Sequence, residues 1–253
     1  MTLANAKYQY LLRMGDNALI LGHRLSEWCG HGPILEQDIA MTNIALDQVG
    51  QARSLLQYAA QLEGKGRTED DLAYTRDVME YRNVLLVEQP NEDFAYTIVR
   101  QFLFDNFNFL LHKSLVDSKD GHLKAIAEKS LKEVTYHLRY SSEWMIRLGD
   151  GTAESHQKIQ TALNDLFIYT GELLTPDAVD QAVFEAGIGP DLTAHQPAYH
   201  AKVDEILQQA TLQKPEVKYM QSGGKDGRMH TEYLGFILAE LQFVQRAYPT
   251  REW

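Results

Sequence analysis

Apolar residues recur along the chain at intervals of three, four and seven positions, which is the spacing of one face of an α-helix. One such stripe, in the second predicted helix, consists of Leu35, Ile39, Leu46, Val49 and Leu56. The strict alternation of a β-strand does not stand out. The periodicity predicts helices over 3–28, 34–62, 69–87, 92–117, 121–148, 152–170, 176–186, 194–211 and 228–246.

Prolines and glycines separate the predicted helices, because neither favours a helix interior. All seven prolines are expected at breaks, namely Pro33, Pro90, Pro176, Pro190, Pro197, Pro215 and Pro249. The glycine-containing breaks at 30–33 and 64–66 are short, and short turns between long helices predict antiparallel neighbours. The segment 221–227 is expected to be a flexible loop, since no strand precedes it as a phosphate-binding loop would require.

Four polar residues lie at intervals that suggest a duplicated hairpin. Asp16 and Asp47 are 31 residues apart, Asp105 and His137 are 32 residues apart, and each interval spans one helix hairpin. Two stacked hairpins are the plan of a ferritin-like bundle. In its di-iron members one helix of each hairpin supplies a Glu and the other supplies Glu-x-x-His. The four residues are therefore candidate positions of a metal centre.

The intervals and the periodicity together predict an all-α fold, a ferritin-like helical bundle built from two helix hairpins with additional C-terminal helices. A single domain over 1–253 is expected, with its core bundle over about 3–148 and the additional helices over about 152–246. The segment 69–87 is expected to connect the two hairpins. A hydrophobic content of 44% is sufficient for a substantial core.

The set of ligands for a di-iron centre is incomplete. Gly50 stands where a His is needed and Val134 stands where a Glu is needed, so neither offers a donor. The remaining acids are Asp, whose reach is about 1.5 Å shorter than that of Glu. We therefore expect no metal, cofactor or catalytic residue in this chain. The relic positions of the lost centre are Asp16, Asp47, Gly50, Asp105, Val134 and His137.

The surroundings of the candidate acids allow more than one interpretation. Gln101, Asp105, Asn108 and His112 share one stripe of an aromatic helix. That stripe is either an inward polar seam or the solvent face of the helix. Any inward acid is expected to pair with Arg, Lys or His, because a buried unpaired carboxylate is costly.

Two histidines add further alternatives. Asp16 can form a buried link with His23, two turns further along the same helix. His137 can be an ordinary hydrogen-bonded histidine, with Glu133 one turn before it. Neither interpretation requires a metal site.

Charge and cysteine content limit the possible partners and compartments. The net charge of −11 disfavours nucleic acid and anionic membranes and suits a basic protein partner. Cys29 is the single cysteine, which excludes a disulfide framework within one chain. It lies at a predicted helix end, where a lone Cys is usually a packing residue and a nucleophile is the alternative. The sequence shows neither a signal peptide nor 18 consecutive apolar residues, so a cytoplasmic protein is expected.

Three blocks of the chain resemble the family of structural C subunits of bacterial 1,2-phenylacetyl-CoA epoxidase. The first block covers 15–33 (GDNALILGHRLSEWCGHGP) and the second covers 43–53 (NIALDQVGQAR). The third covers 227–249 and contains GRMHTEYLG, LAE and QRAYP. The likeness extends over nearly the whole chain.

The resemblance implies a ferritin-like component of a ring-hydroxylating multicomponent monooxygenase. In that family the catalytic A subunit holds the di-iron site and binds phenylacetyl-CoA, while the structural C subunit lacks the metal ligands and supports its catalytic partner. A small further subunit bridges, and a reductase with FAD and an iron–sulfur centre transiently supplies electrons from NADPH. The complex uses O2 to epoxidise the aromatic ring of phenylacetyl-CoA in aerobic phenylacetate degradation.

Three functional hypotheses follow. The first is a non-catalytic structural subunit of the epoxidase, inactive by itself, that packs against the catalytic A subunit. The alternative is a metal-dependent oxidase or oxygenase with a degenerate carboxylate site made of Asp16, Asp47, Asp105 and His137. The third is a helical scaffold with no link to an oxygenase. A chain with an obligate apolar face is also expected to form a homodimer in isolation.

Overall fold

A computed structural model describes residues 1–249, so the last four residues of the predicted domain lie outside the described part. All regular secondary structure within 1–249 is helical, which confirms the predicted all-α class. The chain divides into two compact units. The first is Met1–Gln89 with the segment from Gly223 onward, and the second is Pro90–Ser222. The single domain stays a prediction. No helix of residues 1–249 has the length and apolar content to cross a membrane.

The described residues form twelve α-helices and two short 3₁₀ turns, Val78–Glu80 and Phe167–Tyr169. The α-helices are α1 (Leu3–Ser26), α2 (Leu35–Glu63), α3 (Glu69–Tyr74), α4 (Leu85–Glu88), α5 (Phe94–Leu115), α6 (Gly121–Gly149), α7 (Ala153–Leu166), α8 (Gly171–Leu174), α9 (Ala178–Glu185), α10 (Leu192–Gln209), α11 (Glu232–Leu241) and α12 (Phe243–Ala247). The bounds of α1, α2, α5, α6, α7, α9 and α10 agree with the predictions to within a few residues.

Helices α1 and α2 form an antiparallel hairpin in the first unit, as the short turn between them predicts. Gly15 of α1 lies against Leu56 of α2, while Gly22 lies against Val49. A Cβ atom on Gly15 would come within 2.8 Å of the Leu56 side chain, so the absence of a side chain permits this close approach. The hairpin ends at Gly64, whose left-handed backbone terminates α2.

The prediction of one continuous helix over 69–87 is wrong. The backbone N–H of Arg82 donates to Oδ2 of Asp16 at 2.8 Å, and the N–H of Val84 donates to Oδ1 of Asn17 at 2.8 Å. Both acceptors are buried side chains of α1. These tertiary hydrogen bonds satisfy backbone donors that a helix would use, so the chain between Val78–Glu80 and α4 is extended.

The predicted helix over 228–246 begins later than expected because Glu88 holds the residues before it. The buried Glu88 carboxylate accepts hydrogen bonds from Nδ1 of His230 at 2.5 Å and from the backbone N–H of Thr231 at 2.7 Å. It also accepts from Nδ2 of Asn83 at 2.9 Å. Helix α11 therefore starts only at Glu232, and Gln242 separates it from α12.

The segment 221–227 is a loop, as predicted. Gly227 adopts the left-handed conformation with φ of 72°. Gly224 packs so closely on the extended segment that a Cβ atom there would lie 2.4 Å from the backbone oxygen of Asn83. Residues 223–227 of the loop are thus part of the packing of the first unit.

In the second unit α5 and α6 form the other antiparallel hairpin. The rings of Phe94 and Trp144, from the start of α5 and the end of α6, meet edge to face with centroids 5.0 Å apart. Helix α10 packs on this hairpin through the buried Tyr199, whose hydroxyl donates to the backbone oxygen of Leu103 at 3.1 Å.

The expectation that every proline lies at a break is wrong for Pro197, which lies inside α10. A proline there removes one backbone donor from the helix. Helix α10 nevertheless continues to Gln209, and Tyr199, two residues after the proline, is held on α5 by two hydrogen bonds. Its hydroxyl is bound as described, and its backbone oxygen accepts from Nδ2 of Asn106 at 3.0 Å.

Candidate functional site

Asp16 lies in the buried middle of α1 and is held by a cation. Its carboxylate forms a two-point ion pair with the guanidinium of Arg76, in which Nη1 donates to Oδ2 at 2.9 Å and Nη2 donates to Oδ1. Both side chains are almost completely inaccessible to solvent. The expectation that an inward acid pairs with Arg, Lys or His is confirmed for Asp16. The alternative link to His23 is wrong, because both oxygens of Asp16 are directed to Arg76.

Helix α2 presents a different polar pair to the interior than the sequence suggests. Gly50 lies on the exposed side, where an added Cβ would meet no atom within 4 Å, and Asp47 is half-buried. The buried polar residues are Gln48 and Gln51, which have the i, i+3 spacing of a ligand pair. Their amides are neutral and weak metal donors. The interpretation of Asp47 and Gly50 as relic positions stays a prediction.

The polar stripe of α5 faces inward. The four residues Gln101, Asp105, Asn108 and His112 are all at most 5% exposed. The interpretation of this stripe as an inward polar seam is therefore confirmed, and the interpretation as a solvent face is wrong. Neither amide atom of Gln101 has a hydrogen-bond partner within residues 1–249. The seam thus places strongly polar groups in the interior of the second unit.

Asp105 and His137 are brought together between α5 and α6. Burial raises the pKa of Asp105 to about 6, and the attraction of His137 offsets this only in part. The Ser141 hydroxyl donates to the backbone oxygen of His137 at 3.0 Å. Val134, one turn before His137, is also completely buried. Val134 and His137 therefore share the inward face of α6.

His112 adds a second imidazole to the inward polar stripe of α5. Its Nδ1 bonds the backbone oxygen of Asn108 at 2.9 Å, which makes Nδ1 the protonated nitrogen in the neutral ring. Burial lowers the pKa of His112 to about 4, and the nearby His137 acts in the same direction. His112 is therefore uncharged at neutral pH.

The comparisons with known proteins agree with this architecture. A family model described as "Phenylacetic acid catabolic protein" matches residues 2–253. The chain is also 49% identical to the C subunit of 1,2-phenylacetyl-CoA epoxidase from Escherichia coli (strain K12) over 244 residues, which cover 96% of this chain and 98% of the relative. The chain belongs to the phenylacetic acid catabolic protein family. This family is ferritin-like, so the predicted ferritin-like fold class is confirmed.

The donors present in this family member do not fit a di-iron centre of the ferritin-like type. Both oxygens of Asp16 are bound by a guanidinium, whose positive charge disfavours a metal cation at the same carboxylate. Val134 has no donor atom at its buried position. In the part of the chain that the structure describes, no group of three or more His, Cys, Asp or Glu residues is arranged to hold a metal ion.

Sequence reasoning missed Arg76 and Gln48. The requirement for a cationic partner of Asp16 followed from the cost of a buried charge, but the identity of that partner did not. Arg76 is 60 residues away and lies in a segment whose periodicity suggested a continuous helix. Gln48 and Asp47 are adjacent, and only the exact rotation of α2 decides which of them faces inward.

Proposed function

We propose that this chain is the non-catalytic structural subunit of a phenylacetyl-CoA epoxidase and supports a di-iron catalytic subunit in aerobic phenylacetate degradation. In this proposal the chain works in the cytoplasm and binds no cofactor. The di-iron centre belongs to the catalytic A subunit, and FAD, iron–sulfur and NADPH chemistry belongs to the reductase. The complex also contains a small bridging subunit.

The ion pair between Asp16 and Arg76 is the observation that carries the proposal. A carboxylate on the first helix of a hairpin is the group that a ferritin-like di-iron protein directs to its metal. In this chain the same carboxylate neutralises an internal guanidinium. A buried charge that is already paired and hydrogen-bonded is not available to a metal without leaving the other charge unpaired.

The close similarity to the C subunit of an epoxidase supports the role in a complex. The relative is named as one subunit of an enzyme, and the alignment covers nearly all of both chains. A structural subunit is expected to bury an obligate-size interface of about 2,000 Å² or more. The acidic net charge suits a partner with basic surface regions.

A first experiment tests the absence of a metal centre. The purified chain is loaded with iron under anaerobic conditions, desalted, and measured for bound iron and for oxygen consumption with phenylacetyl-CoA and reductant. We expect far less than one iron per chain and no turnover. Two irons per chain with turnover that His137→Ala abolishes would instead establish the metal-dependent oxygenase.

A second experiment tests the structural role. The chain is co-expressed with an affinity-tagged catalytic subunit, and the pair is followed by gel filtration and by epoxidation with the complete reductase system. We expect a stable complex and a loss of turnover when this chain is omitted. A catalytic subunit that purifies alone with full activity would contradict the proposal and favour a scaffold without a link to the oxygenase.

A further inference from the structure

The apolar stripe of α2 faces outward over most of its length. The exposed fractions are 72% for Leu35, 51% for Ile39, 65% for Leu46 and 40% for Val49. Leu56, at the end of the stripe, is buried. Helix α2 therefore has one apolar face packed on α1 and, beside it, an exposed apolar stripe, of which Val49 also contacts Gly22 of α1. A contiguous row of exposed large aliphatic side chains marks a protein–protein contact surface.

The exposed stripe has the spacing of a coiled-coil seam. The residues that follow one another along it are Leu35, Ile39, Thr42, Leu46, Val49 and Arg53. Their separations alternate between four and three, which is the repeat of about 3.5 residues that keeps one face against a neighbouring helix. At a rise of about 1.5 Å per residue the seam is about 27 Å long. A partner of matching shape is one long helix with the same repeat, crossing α2 at about 20°.

The charges beside the seam indicate the kind of helix that fits. From residue 34 to the end of the seam there are three acidic residues and one basic residue, Arg53, which already forms an ion pair with Glu69. Glu36 and Asp38 lie on opposite sides of the seam, about 100° and 60° of helix rotation from Leu35. A second copy of this chain would bring like charges together, whereas a helix with basic flanks would be attracted.

We propose that the seam residues Leu35, Ile39, Leu46 and Val49 are the docking surface for a long amphipathic helix with basic flanks in the catalytic subunit. The inference rests on the proposed function and names the surface through which it is carried out. It places the hydrophobic contact on the exposed face of α2, beside the face that packs on α1. It also assigns Glu36 and Asp38 to the polar rim of that contact.

The test compares one seam variant with one matched variant elsewhere. Leu46→Lys places a charge in the middle of the seam, and Phe236→Lys places the same charge on an equally exposed apolar residue of α11. Each variant is co-expressed with the tagged catalytic subunit, and the dissociation constant is measured with purified chains. We expect about a ten-fold or greater weakening for Leu46→Lys and little change for Phe236→Lys. Circular dichroism verifies that both isolated variants remain folded.

A labelling experiment makes the test independent of that variant's folding. In a Cys29→Ser background, Leu46→Cys is expected to react rapidly with a maleimide in the isolated chain and to be protected in the complex. Unchanged labelling in the complex, or equal weakening by the two Lys variants, would overturn the proposed surface and leave the proposed function standing. Protection of Leu46→Cys by self-association alone would assign the seam to a homodimer. Failure of the unmodified chain to bind the catalytic subunit would instead overturn the proposed function.

Discussion

The guanidinium of Arg76 and the carboxylate of Asp16 form a buried two-point ion pair, and a third donor, the backbone N–H of Arg82, completes it at 2.8 Å. The pair connects α1 to the short segment between α3 and the turn at Val78–Glu80. It places a fixed cation beside the carboxylate that a ferritin-like di-iron protein would direct to its metal. A buried acid in this scaffold therefore satisfies its need for positive charge without a metal ion.

Removal of one partner of this pair should destabilise the first unit strongly. We expect Arg76→Met to lower the free energy of unfolding by about 3–5 kcal/mol, because it leaves the Asp16 carboxylate buried and unpaired. Arg53→Met, at an exposed ion pair with Glu69, should cost at most about 1 kcal/mol. Urea unfolding of the two variants measures both. Equal losses of unfolding free energy in the two variants would show that another group stabilises the buried Asp16 carboxylate.

The double variant Asp16→Leu with Arg76→Met gives a further check on that pair. Because neither charge is then left without a partner, it should be less destabilised than the sum of the two single variants. Additive losses would mean that the two side chains act independently, contrary to the geometry.

The long hairpin helices could be predicted because their signals are local. The apolar periodicity of α1 and the glycine that ends α2 lie within the elements themselves. The extended segment after Val78–Glu80 could not be predicted, since it depends on hydrogen bonds from Arg82 and Val84 to side chains more than 60 residues away. Tertiary contacts of this kind override a helical pattern.

The same limitation applies to the surface of α2 and to the candidate site. Periodicity identified the stripe through Leu35 and Leu46, yet a pattern of apolar residues does not say whether its face is covered by the same chain. The interval between Asp105 and His137 predicted their proximity. Gln48 faces the interior where Asp47 was expected to do so. The two residues are adjacent, and sequence periodicity cannot decide which of two adjacent residues faces inward.

The buried Asp105 should make stability depend on pH. Its pKa is raised from 3.8 to about 6, so the native state favours the protonated acid. The stability gained from this preference is complete below pH 3.8 and is lost as the pH rises through 6. The ionised form therefore destabilises the native state by up to about 3 kcal/mol at pH 8. Asp105→Asn, which stays neutral, should gain stability relative to the unmodified chain between pH 4 and pH 8.

Thermal or urea unfolding of both proteins at pH 4 and pH 8 measures this difference. Asp165→Asn, on the exposed face of α7, serves as the matched substitution and should show no such trend. A constant difference between Asp105→Asn and the unmodified chain across this range would contradict the assignment of a raised pKa to Asp105.

Glu88 should control the attachment of the C-terminal helices of the first unit. Its carboxylate accepts from His230 and from both the backbone and hydroxyl of Thr231, so Glu88→Gln directs an amide N–H toward donors. A local loss of about 2–3 kcal/mol is expected from the weakened charge-assisted bonds. Faster hydrogen exchange of α11 amides would report this loss. Arg228→Ala, at an exposed pair in the same segment, should leave those rates unchanged.

Two identical substitutions should have opposite effects in the C-terminal part of the first unit. In Gly224→Ala the new methyl would lie 2.4 Å from the backbone oxygen of Asn83 and 3.1 Å from the backbone nitrogen of Leu85. Those atoms cannot move freely, because Val84 between them is hydrogen-bonded to Asn17. We expect a loss of about 1–3 kcal/mol from the forced displacement. In Gly235→Ala, inside α11, the methyl meets no atom within 4 Å and should stabilise the helix by about 1 kcal/mol. Urea unfolding and exchange rates of α11 distinguish the two, and a stabilising Gly224→Ala would show that the loop is not packed against the extended segment.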